Sequence, residues 1–198
     1  TGREQWRFDP VSEHNETMGR RQRGVMYWAS GEDRRLFTPG ATRLYCLDAR
    51  TGKIVFDHET VDWKKGYRYS SGPFMANGVV VASMSGCNAA QPGGCFITGH
   101  DPKMGAEKWR VHTVAQMRGT TPKKDGFDNS ALYTDATLAI DPKSGKMKWH
   151  FQHLENDTLD LDYAYERILV DLPIAGKTRK AVVTAGKLAI VEVLDRTN

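Results

Sequence analysis

A short motif recurs along this chain of 198 residues: an Asp, a turn that carries Gly, and then an aromatic residue. Four segments superpose, TGREQW (1–6), LDARTGKIVF (47–56), HDPKMGAEKW (100–109) and IDPKSGKMKW (140–149), and a fifth, LDRTN, begins at Leu194. The motif predicts a hairpin, because the Asp side chain can cap the backbone of its own turn and Gly can adopt the left-handed conformation. The aromatic residue then returns into a packed layer.

Short runs with alternating apolar residues lie between the copies of this motif. They read GVMYWAS, RLFTPG, GVVVASM, CFITGHD, ATLAID, RKAVVTA and AIVEVLD, and each has the length of a strand. Several strands in every repeat of roughly 40 to 50 residues are typical of β-propeller blades, each of which buries its face against its neighbours. We therefore predict an all-β chain, a single partial β-propeller domain over residues 1–198. A set of unrelated hairpins is the alternative.

Composition argues against two classes of partner. The net charge of +4 is spread along the sequence, which disfavours nucleic-acid binding. No apolar run approaches the roughly 18 residues that cross a bilayer, and no signal-peptide pattern opens the chain. We expect no membrane span, and we expect any leader to have been removed.

The three cysteines are expected to behave differently. Cys46 alternates with Leu44 in the strand-like run RLYCLD, which predicts a buried thiol. Cys87 and Cys95 flank NAAQPGG, a Gly/Pro loop able to bring their Cα atoms within disulfide range. Two unrelated reduced thiols are the alternative. A disulfide would indicate an oxidising compartment, the periplasm or the exterior.

Six longer segments carry a family resemblance. In chain order they are QRGVMYW, LYCLDARTGKIVF, KKGYRYSSGP, DNSALYTDATLAIDPKSGKMKWHFQH, GKTRK and VLDRTN. In this order they resemble the central portion of the pyrroloquinoline quinone (PQQ) dependent alcohol dehydrogenases, eight-bladed propellers whose Asp-x-x-Thr-Gly-Lys-x-x-Trp repeats dock adjacent blades. The resemblance implies about four blades' worth of such a quinoprotein propeller. It also implies PQQ and Ca²⁺ or a lanthanide ion as cofactors, and oxidation of an alcohol or polyol by hydride transfer to the quinone.

The resemblance assigns cofactor-binding residues by position. Arg23 in QRGV resembles the arginine that binds a cofactor carboxylate through both prongs of its guanidinium. Ser70 in YSSGP takes the place of a hydrogen-bonding Thr or Ser. Residues 85–87, which are Ser85, Gly86 and Cys87, fall where the family has a small turn against the quinone plane. Gly86 would allow the backbone to approach a flat ring, although an ordinary turn glycine is an equal alternative.

Two substitutions near the expected cofactor depart from the family pattern. Many members have two adjacent cysteines just before the arginine, which form a disulfide over the cofactor, whereas this chain has Thr17 and Met18. Cys87 with Cys95 is then the candidate pair for such a disulfide. Asn88 stands where the family has a Glu that binds the metal. Its amide oxygen can ligate a hard cation but adds no negative charge.

The segment HLENDTLDLD (153–162) resembles the family's catalytic pattern, approximately His-x-x-x-Asp-x-Trp-Asp-x-Asp/Ala. Leu159 replaces the Trp. Asp160 takes the position of the general base and metal ligand, and Asp162 that of an additional ligand found in members that use a lanthanide. Both lie on one side of an extended chain, so both can face one cation. Lys187 stands where many members have an Arg near the quinone carbonyl. A solvent-exposed acidic loop is the alternative, and calcium against lanthanide stays open.

A stretch of the family pattern is missing between HTVAQMRG and DNSALYTD. The family carries about one blade there, roughly 40 to 50 residues, including an Asn metal ligand and the Trp on which the quinone stacks. In this chain TTPKKDGF joins the two segments. We expect a fragment, or a chain that has lost an internal stretch, and we do not expect it to hold PQQ by itself.

The resemblance also implies partners and a location. They are a small alcohol substrate, a c-type cytochrome as electron acceptor, and the periplasm; a homodimer is compatible with it. The alternatives are a non-catalytic binding scaffold built on the same repeats, and a sugar-oxidising quinoprotein, which Lys187 and Leu159 favour. A scaffold has no need to keep Arg23, Ser70, Asp160 and Lys187 together, whereas an enzyme would bring Arg23, Ser70 and Lys187 to one axial pocket.

The cysteine assignment predicts the outcome of thiol counting. With Cys87 and Cys95 joined and Cys46 free, denaturation without reductant should expose one reactive thiol per chain, because a disulfide does not react with thiol reagents. Three reactive thiols would show that Cys87 and Cys95 are reduced.

Overall fold

The described part of the chain is built almost entirely of β-strands. The computed structural model describes residues 2–15, 23–69, 71–86, 95–113, 132–155, 157 and 159–197. They fall into two compact units, which are treated separately: unit 1 is Thr1–His112 with Pro142–Gly145, and unit 2 is Thr113–Asp141 with Lys146–Asn198. The prediction of an all-β chain is confirmed. A single domain over 1–198 stays a prediction.

Among the described residues, helical structure is limited to two short pieces of unit 1. They are α1 (Pro10–His14), which the Asp9 carboxylate caps by accepting the backbone N–H of Val11, and a 3₁₀ turn (Trp63–Lys65). Proline at the start of α1 needs no N–H partner, which suits the first turn of a helix. Within the described ranges no helix has the length and apolar character to cross a membrane.

Unit 1 contains two antiparallel sheets. The first has the order β1 (Met26–Ser30), β2 (Asp33–Pro39), β3 (Arg43–Asp48) and β4 (Ile54–Glu59), each strand paired with the next. Strand β1 covers the last five residues of the predicted run GVMYWAS, and β2 covers the first five of RLFTPG, so strands are confirmed in both runs. Each strand follows its neighbour through a short turn, which is the meander expected of a propeller blade.

The second sheet of unit 1 repeats this arrangement with one extra strand. Its order is β5-β7-β8-β9, and the short β6 also pairs with β7. The strands are β5 (Arg68–Tyr69), β6 (Phe74–Ala76), β7 (Val79–Ser85), β8 (Phe96–His100) and β9 (Glu107–His112).

The core of unit 1 draws on both of its sheets. Its fully or nearly fully buried members are Phe37, Leu44, Cys46, Tyr67, Tyr69, Val80, Ala82, Met84 and Phe96. Cys46 is a free, buried thiol, as predicted, and burial raises its pKa to about 11. Cys87 lies outside the described residues, so its pairing with Cys95 stays a prediction.

Unit 2 contains two smaller antiparallel sheets. One is a hairpin of β10 (Ala136–Ile140) and β11 (Met147–Gln152). The other has the order β12 (Ile168–Ile174), β13 (Lys177–Ala185) and β14 (Val191–Asp195). The acidic segment 153–167 lies between the two sheets in the chain, and its described residues belong to no strand.

The turns of the repeat have the predicted geometry. The Asp48 carboxylate accepts the backbone N–H groups of Arg50 and Thr51 at 3.0 and 2.9 Å, and the Asp101 carboxylate caps its turn in the same way. The hydrogen bond from the Thr51 hydroxyl is the main reason that the pKa of Asp48 lies below its usual value. The glycines of three turns are left-handed, with φ of +71° at Gly52, +75° at Gly105 and +71° at Gly145.

Each aromatic residue of the repeat packs on the turn of the next copy. A Cβ built on Gly52 would lie 2.5 Å from the Trp6 ring, one on Gly105 2.4 Å from the Phe56 ring, and one on Gly145 2.7 Å from the Trp109 ring. Glycine is required at these positions by the ring as well as by the positive φ.

The tryptophans add a hydrogen bond to this contact. Each indole N–H donates to the carbonyl of the residue that follows the turn's Asp; the pairs are Trp6 with Ala49 (3.3 Å), Trp109 with Pro142 (2.8 Å) and Trp149 with Arg196 (3.1 Å). Phe56 has no N–H to donate. The corresponding acceptor in its turn is the carbonyl of Pro102.

Arg35 supplies the donor that Phe56 lacks. Its Nη1 donates to the carbonyls of Pro102 at 2.9 Å and Lys103 at 2.7 Å, while its Nε contacts both carboxylate oxygens of Asp33 at 2.9 Å. The guanidinium also lies over the Phe56 ring, 5.9 Å from its centroid. Arg35 is only 9% exposed, so these partners replace its hydration.

Because Arg35 takes the role of the missing indole N–H, a double-mutant cycle should show energetic coupling between Arg35 and Phe56. Arg35→Met should lower the free energy of unfolding by about 2 to 4 kcal/mol, since two carbonyls and a carboxylate lose their donor. Adding Phe56→Trp should recover about 1 kcal/mol, because an indole N–H at this position can reach the Pro102 carbonyl. Urea unfolding of the four chains of the cycle measures this coupling.

Arg50→Met is the matched control for the cycle. The Arg50 side chain is 61% exposed and pairs with Glu32, so its loss should cost less than about 0.5 kcal/mol. An equal effect of Phe56→Trp with and without Arg35 would contradict the exchange of donors.

Candidate active site

The acidic segment of unit 2 is shaped by Asp157. Its carboxylate accepts the backbone N–H of Leu159 at 2.8 Å and that of Leu161 at 2.6 Å. Between these two residues Asp160 adopts a left-handed conformation, with φ of 62°. Asp and Asn tolerate this region better than most residues, because their short polar side chains bond locally. The Asp160 side chain is 81% exposed.

Lys187 joins the two aspartates that the sequence singles out. Its Nζ lies 3.0 Å from Oδ2 of Asp160 and 2.9 Å from Oδ2 of Asp162, and it donates to the Asp160 carbonyl at 2.6 Å. Hydrogen bonds to Asp162 and then to Asp160 raise the pKa of Lys187 above its usual value, so the ammonium stays charged at neutral pH. The two carboxylates contact one ammonium, that of Lys187. The extended backbone expected at Asp160 is wrong, because its φ is +62°, and a metal ion shared by Asp160 and Asp162 stays a prediction.

Asp162 also belongs to a group of three carboxylates. One oxygen each from Asp135, Asp157 and Asp162 lie within 4.8 Å of one another, and the three residues are half-buried. Carboxylate oxygens at this spacing suit hard cations such as Ca²⁺ or a lanthanide. Of the predicted ligands, Asp162 falls in this group, Asp160 does not, and Asn88 lies outside the described residues.

An aromatic contact lies beside these charges. The Tyr163 ring stacks on the His153 ring with centroids 4.0 Å apart and planes 3° apart. Tyr163 is 5% exposed, and the His153 side chain is fully buried. The segment that carries the exposed Asp160 is therefore anchored by the buried Tyr163–His153 stack.

In unit 1 the structure brings together two of the predicted cofactor-binding segments. A Cβ on Gly72 would lie 2.4 Å from the Arg23 carbonyl oxygen, so the backbones of the two segments are in contact. Ser71, beside Gly72, hydrogen-bonds through its hydroxyl to that of Ser83 at 2.7 Å. Arg23 is exposed and has no hydrogen bond or ion pair within the ranges that the structure covers.

Gly86 is required by the protein's own backbone. It follows β7, has a φ of +79°, and a Cβ there would lie 2.6 Å from the carbonyl oxygen of Gly66. The neighbouring Ser85 hydroxyl donates to the Arg68 carbonyl at 3.2 Å. These contacts account for glycine at this position as a turn residue. Its role against the quinone plane stays a prediction.

The predicted site is thus only partly visible. Ser70, Cys87 and Asn88 lie outside the described residues. Arg23 belongs to unit 1 and Lys187 to unit 2, so the convergence of Arg23, Ser70 and Lys187 on one pocket stays a prediction.

Sequence reasoning missed four residues of the unit 2 site. His153 and Asp157 occupy the first two fixed positions of the pattern His-x-x-x-Asp, so the resemblance carried a signal for both. Tyr163 directly follows the pattern. Asp135 had no signal in the sequence, because it precedes a strand 22 or more residues before the other carboxylates and only the fold brings them together.

Curated relatives of this chain are quinohemoprotein alcohol dehydrogenases. The chain is 28% identical over 256 residues to quinohemoprotein alcohol dehydrogenase ADH IIB from Pseudomonas putida, which covers 100% of this chain and 36% of the relative. The alignment is longer than this chain of 198 residues, so it contains gaps, as expected for a chain that lacks an internal stretch. The chain spans about a third of the length of the curated relatives it matches.

Solved structures share the fold. The quinohemoprotein alcohol dehydrogenase from Comamonas testosteroni superposes with a TM-score of 0.77 at 24% identity, covering 100% of this chain and 37% of that one. A europium-containing methanol dehydrogenase superposes with a TM-score of 0.73 at 19% identity, covering 89% of this chain and 40% of that one. These likenesses confirm the β-propeller prediction.

A family model accounts for the chain from end to end. The PQQ model, described as the β-propeller domain of glucose, ethanol and alcohol dehydrogenases, matches residues 1–131 and 124–198. The two matches overlap at residues 124–131, and this overlap includes the end of TTPKKDGF (120–127), where the sequence predicts a missing stretch. Together with the repeat geometry and the relatives, this match shows that the chain belongs to the PQQ β-propeller family of glucose/ethanol/alcohol dehydrogenases.

Proposed function

We propose that this chain contributes the catalytic carboxylates of a PQQ-dependent dehydrogenase that oxidises an alcohol or polyol, with Asp160 as the general base. The observation that carries the proposal is the contact of one ammonium, Lys187, with both Asp160 and Asp162. In a chain of this family such a constellation suits proton removal from a hydroxyl group beside a hydride acceptor.

Each residue of the constellation has a separate task. Asp160, whose side chain is 81% exposed, accepts the hydroxyl proton, because a substrate can reach its carboxylate. Lys187 orients that carboxylate through its contact with Oδ2, and its charge favours a nearby oxygen that gains negative charge. Asp162 ties Lys187 from the other side and presents a carboxylate to the group formed with Asp135 and Asp157.

Several residues suit the cofactors that the family uses. When bound, PQQ supplies the hydride acceptor and the metal ion the Lewis acid that polarises its carbonyl. Arg23 fits a cofactor carboxylate, since it is exposed and has no partner among the described residues. Ser70, Ser85, Gly86 and Cys87 complete the proposed cofactor contacts.

The metal site is proposed on the three half-buried carboxylates. Asp162 is the ligand that the sequence predicts, and Asp135 and Asp157 offer further oxygen donors within 4.8 Å. Asp160 and Asn88 are the remaining proposed ligands. Three carboxylates suit a trivalent lanthanide electrostatically, because the attraction grows with the charge of the ion, and Ca²⁺ takes the same donor type.

The wider setting is proposed from the relatives. Quinohemoprotein relatives suggest a c-type cytochrome as electron acceptor and a small alcohol as substrate. The periplasm, the Cys87–Cys95 disulfide and a homodimer belong to the same proposal. A sugar-oxidising enzyme is the second candidate, because Leu159 is 75% exposed where alcohol dehydrogenases carry Trp, which leaves more room at the site.

Asp160→Asn tests the general base. In the full-length protein this change should lower kcat by roughly two to four orders of magnitude while PQQ stays bound, because an amide cannot take the proton. Steady-state kinetics with alcohols and sugars, beside an absorption spectrum for bound PQQ, measure both effects. Glu155→Gln is the matched control, since it makes the same change at an exposed position of the same loop. Near-normal turnover of Asp160→Asn would end the assignment of Asp160 as the base, whereas a parent protein that neither binds PQQ nor turns over any of these substrates would favour a scaffold.

Asp162→Ala tests the metal ligand. It should weaken metal loading, and more for La³⁺ than for Ca²⁺, because loss of a carboxylate costs more Coulomb energy against the higher charge at the same distance. Titrations of the full-length protein with both ions, followed by bound metal and by activity, measure the difference. Glu155→Ala removes the same charge from the loop outside the carboxylate group and should leave the preference unchanged. An unaltered metal preference in Asp162→Ala would reduce Asp162 to a partner of Lys187.

A further inference from the structure

We propose that Tyr163 is a positioning residue for the proposed base. Its ring packs against His153 and Gly186 and sets the distance between the Asp160–Asp162 segment and Lys187. The inference rests on the proposed function of Asp160. In this proposal Tyr163 touches no substrate and acts only through the positions of Asp160 and Lys187.

The first contact is the stack of Tyr163 on His153. The centroids are 4.0 Å apart and the planes differ by 3°, and Tyr163 directly follows Asp162 in the chain. Two flat rings at this distance bury a large area with few rotatable bonds, so the position of one ring closely restricts the other. The backbone at Asp162 is thereby tied to His153.

His153 is itself held by two strands. Its Nε2 lies 2.8 Å from the hydroxyl oxygen of Thr137 on β10, and its Nδ1 contacts the Glu192 carboxylate on β14. Its side chain is fully buried. A ring with both nitrogens bonded to regular strands has little freedom, so the stack gives the acidic loop a fixed support in the sheets.

The second contact of Tyr163 is with Gly186, the neighbour of Lys187. A Cβ built on Gly186 would lie 2.6 to 2.7 Å from Cε2, Cδ2 and Cζ of the ring. Next to this contact, the backbone N–H of Lys187 donates to the Asp162 carbonyl at 3.2 Å. The ring therefore sets the spacing of the two backbone segments whose side chains form the ion pairs.

Such support matters because the base cannot be fixed by packing of its own side chain. Asp160 is 81% exposed, and an exposed ion pair alone holds a side chain weakly. A displacement of about 1 Å at a catalytic group can cost about 100-fold in rate. The buried ring supplies the rigidity that the exposed carboxylate lacks.

Variants of Tyr163 test this role by kinetics in the full-length protein. Tyr163→Leu should lower kcat about 10- to 100-fold with KM changed by less than about two-fold, because the base moves while substrate contacts remain. Tyr163→Phe keeps the ring and should stay within about two-fold of the parent. Tyr165→Leu makes the same change at a side chain that is 53% exposed two residues away, and it should also stay within about two-fold. Normal kcat in Tyr163→Leu would overturn the inference.

A cycle with Asp160→Asn separates positioning from general loss of structure. If Tyr163 acts through Asp160, Tyr163→Leu should change kcat by less than about two-fold once Asp160 is Asn. Equal losses in both backgrounds would overturn the positioning role and leave the proposed function standing. Near-normal kcat in Asp160→Asn itself would overturn both.

Chemical labelling of Lys187 gives a readout that needs no activity. Acetic anhydride acylates a lysine nitrogen that can leave its partners, so the two carboxylates and the carbonyl that hold Nζ of Lys187 should slow its labelling. In Tyr163→Leu the labelling of Lys187 should speed up several-fold relative to the exposed Lys177 of the same chain, and in Tyr163→Phe it should not. An unchanged ratio in Tyr163→Leu would contradict the claim that the ring sets the Lys187 contacts.

Gly186→Ala provides a second route if Tyr163→Leu does not fold. The added methyl group would overlap the Tyr163 ring, and the backbone at Gly186 is outside the left-handed region, so alanine brings no conformational strain of its own. The same loss of kcat, again absent in the Asp160→Asn background, is expected. A Gly186→Ala chain with parental kcat and labelling would overturn the inference.

Discussion

The contact on which this structure depends is the packing of an aromatic ring on the glycine turn of the next repeat. The ring occupies the volume of a missing Cβ at Gly52, Gly105 and Gly145, so each turn is shaped by a residue one repeat earlier. In three cases an indole N–H also satisfies a turn carbonyl. Where phenylalanine interrupts the series, Arg35 brings a donor from the middle of its own sheet to the same carbonyl. The hydrogen-bonding requirement of the turn persists although the residue that meets it has changed.

In the charged site the functional side chains are exposed, and the groups that hold their backbone in place are buried. Asp160 is exposed and has a left-handed backbone, and its partner Lys187 is more than a third exposed. Exposed charges attract weakly in water, so their arrangement has to come from the backbone beneath them. In unit 2 that backbone is anchored by the buried Tyr163–His153 stack and by the hydrogen bonds of His153 to two strands. Reactive groups thus remain accessible while buried groups determine where they stand.

Much of this architecture could be predicted from local sequence patterns. Contacts between residues far apart in the sequence could not. The Asp caps, the left-handed glycines and the strands follow from residues a few positions apart, and all appear in the structure. The role of Arg35 depends on an acceptor in the turn between β8 and β9, 67 positions away, so no local pattern predicts it. Likewise Asp135 meets Asp157 and Asp162 only because two sheets of unit 2 fold around one loop. The resemblance supplied Asp160, Asp162 and Lys187, whereas their mutual contact came from the fold.

The docking of each ring on the following turn also bears on how such chains change length in evolution. The contact requires one aromatic side chain in a repeat and one glycine turn in the next. It requires no residue from the repeats farther along the chain. The Trp109 ring packs on Gly145 and its indole N–H donates to the Pro142 carbonyl, although relatives align over a longer stretch than this chain possesses. A whole repeat can be gained or lost without leaving an unmatched surface, so selection can act on the number of modules while every junction keeps the same chemistry.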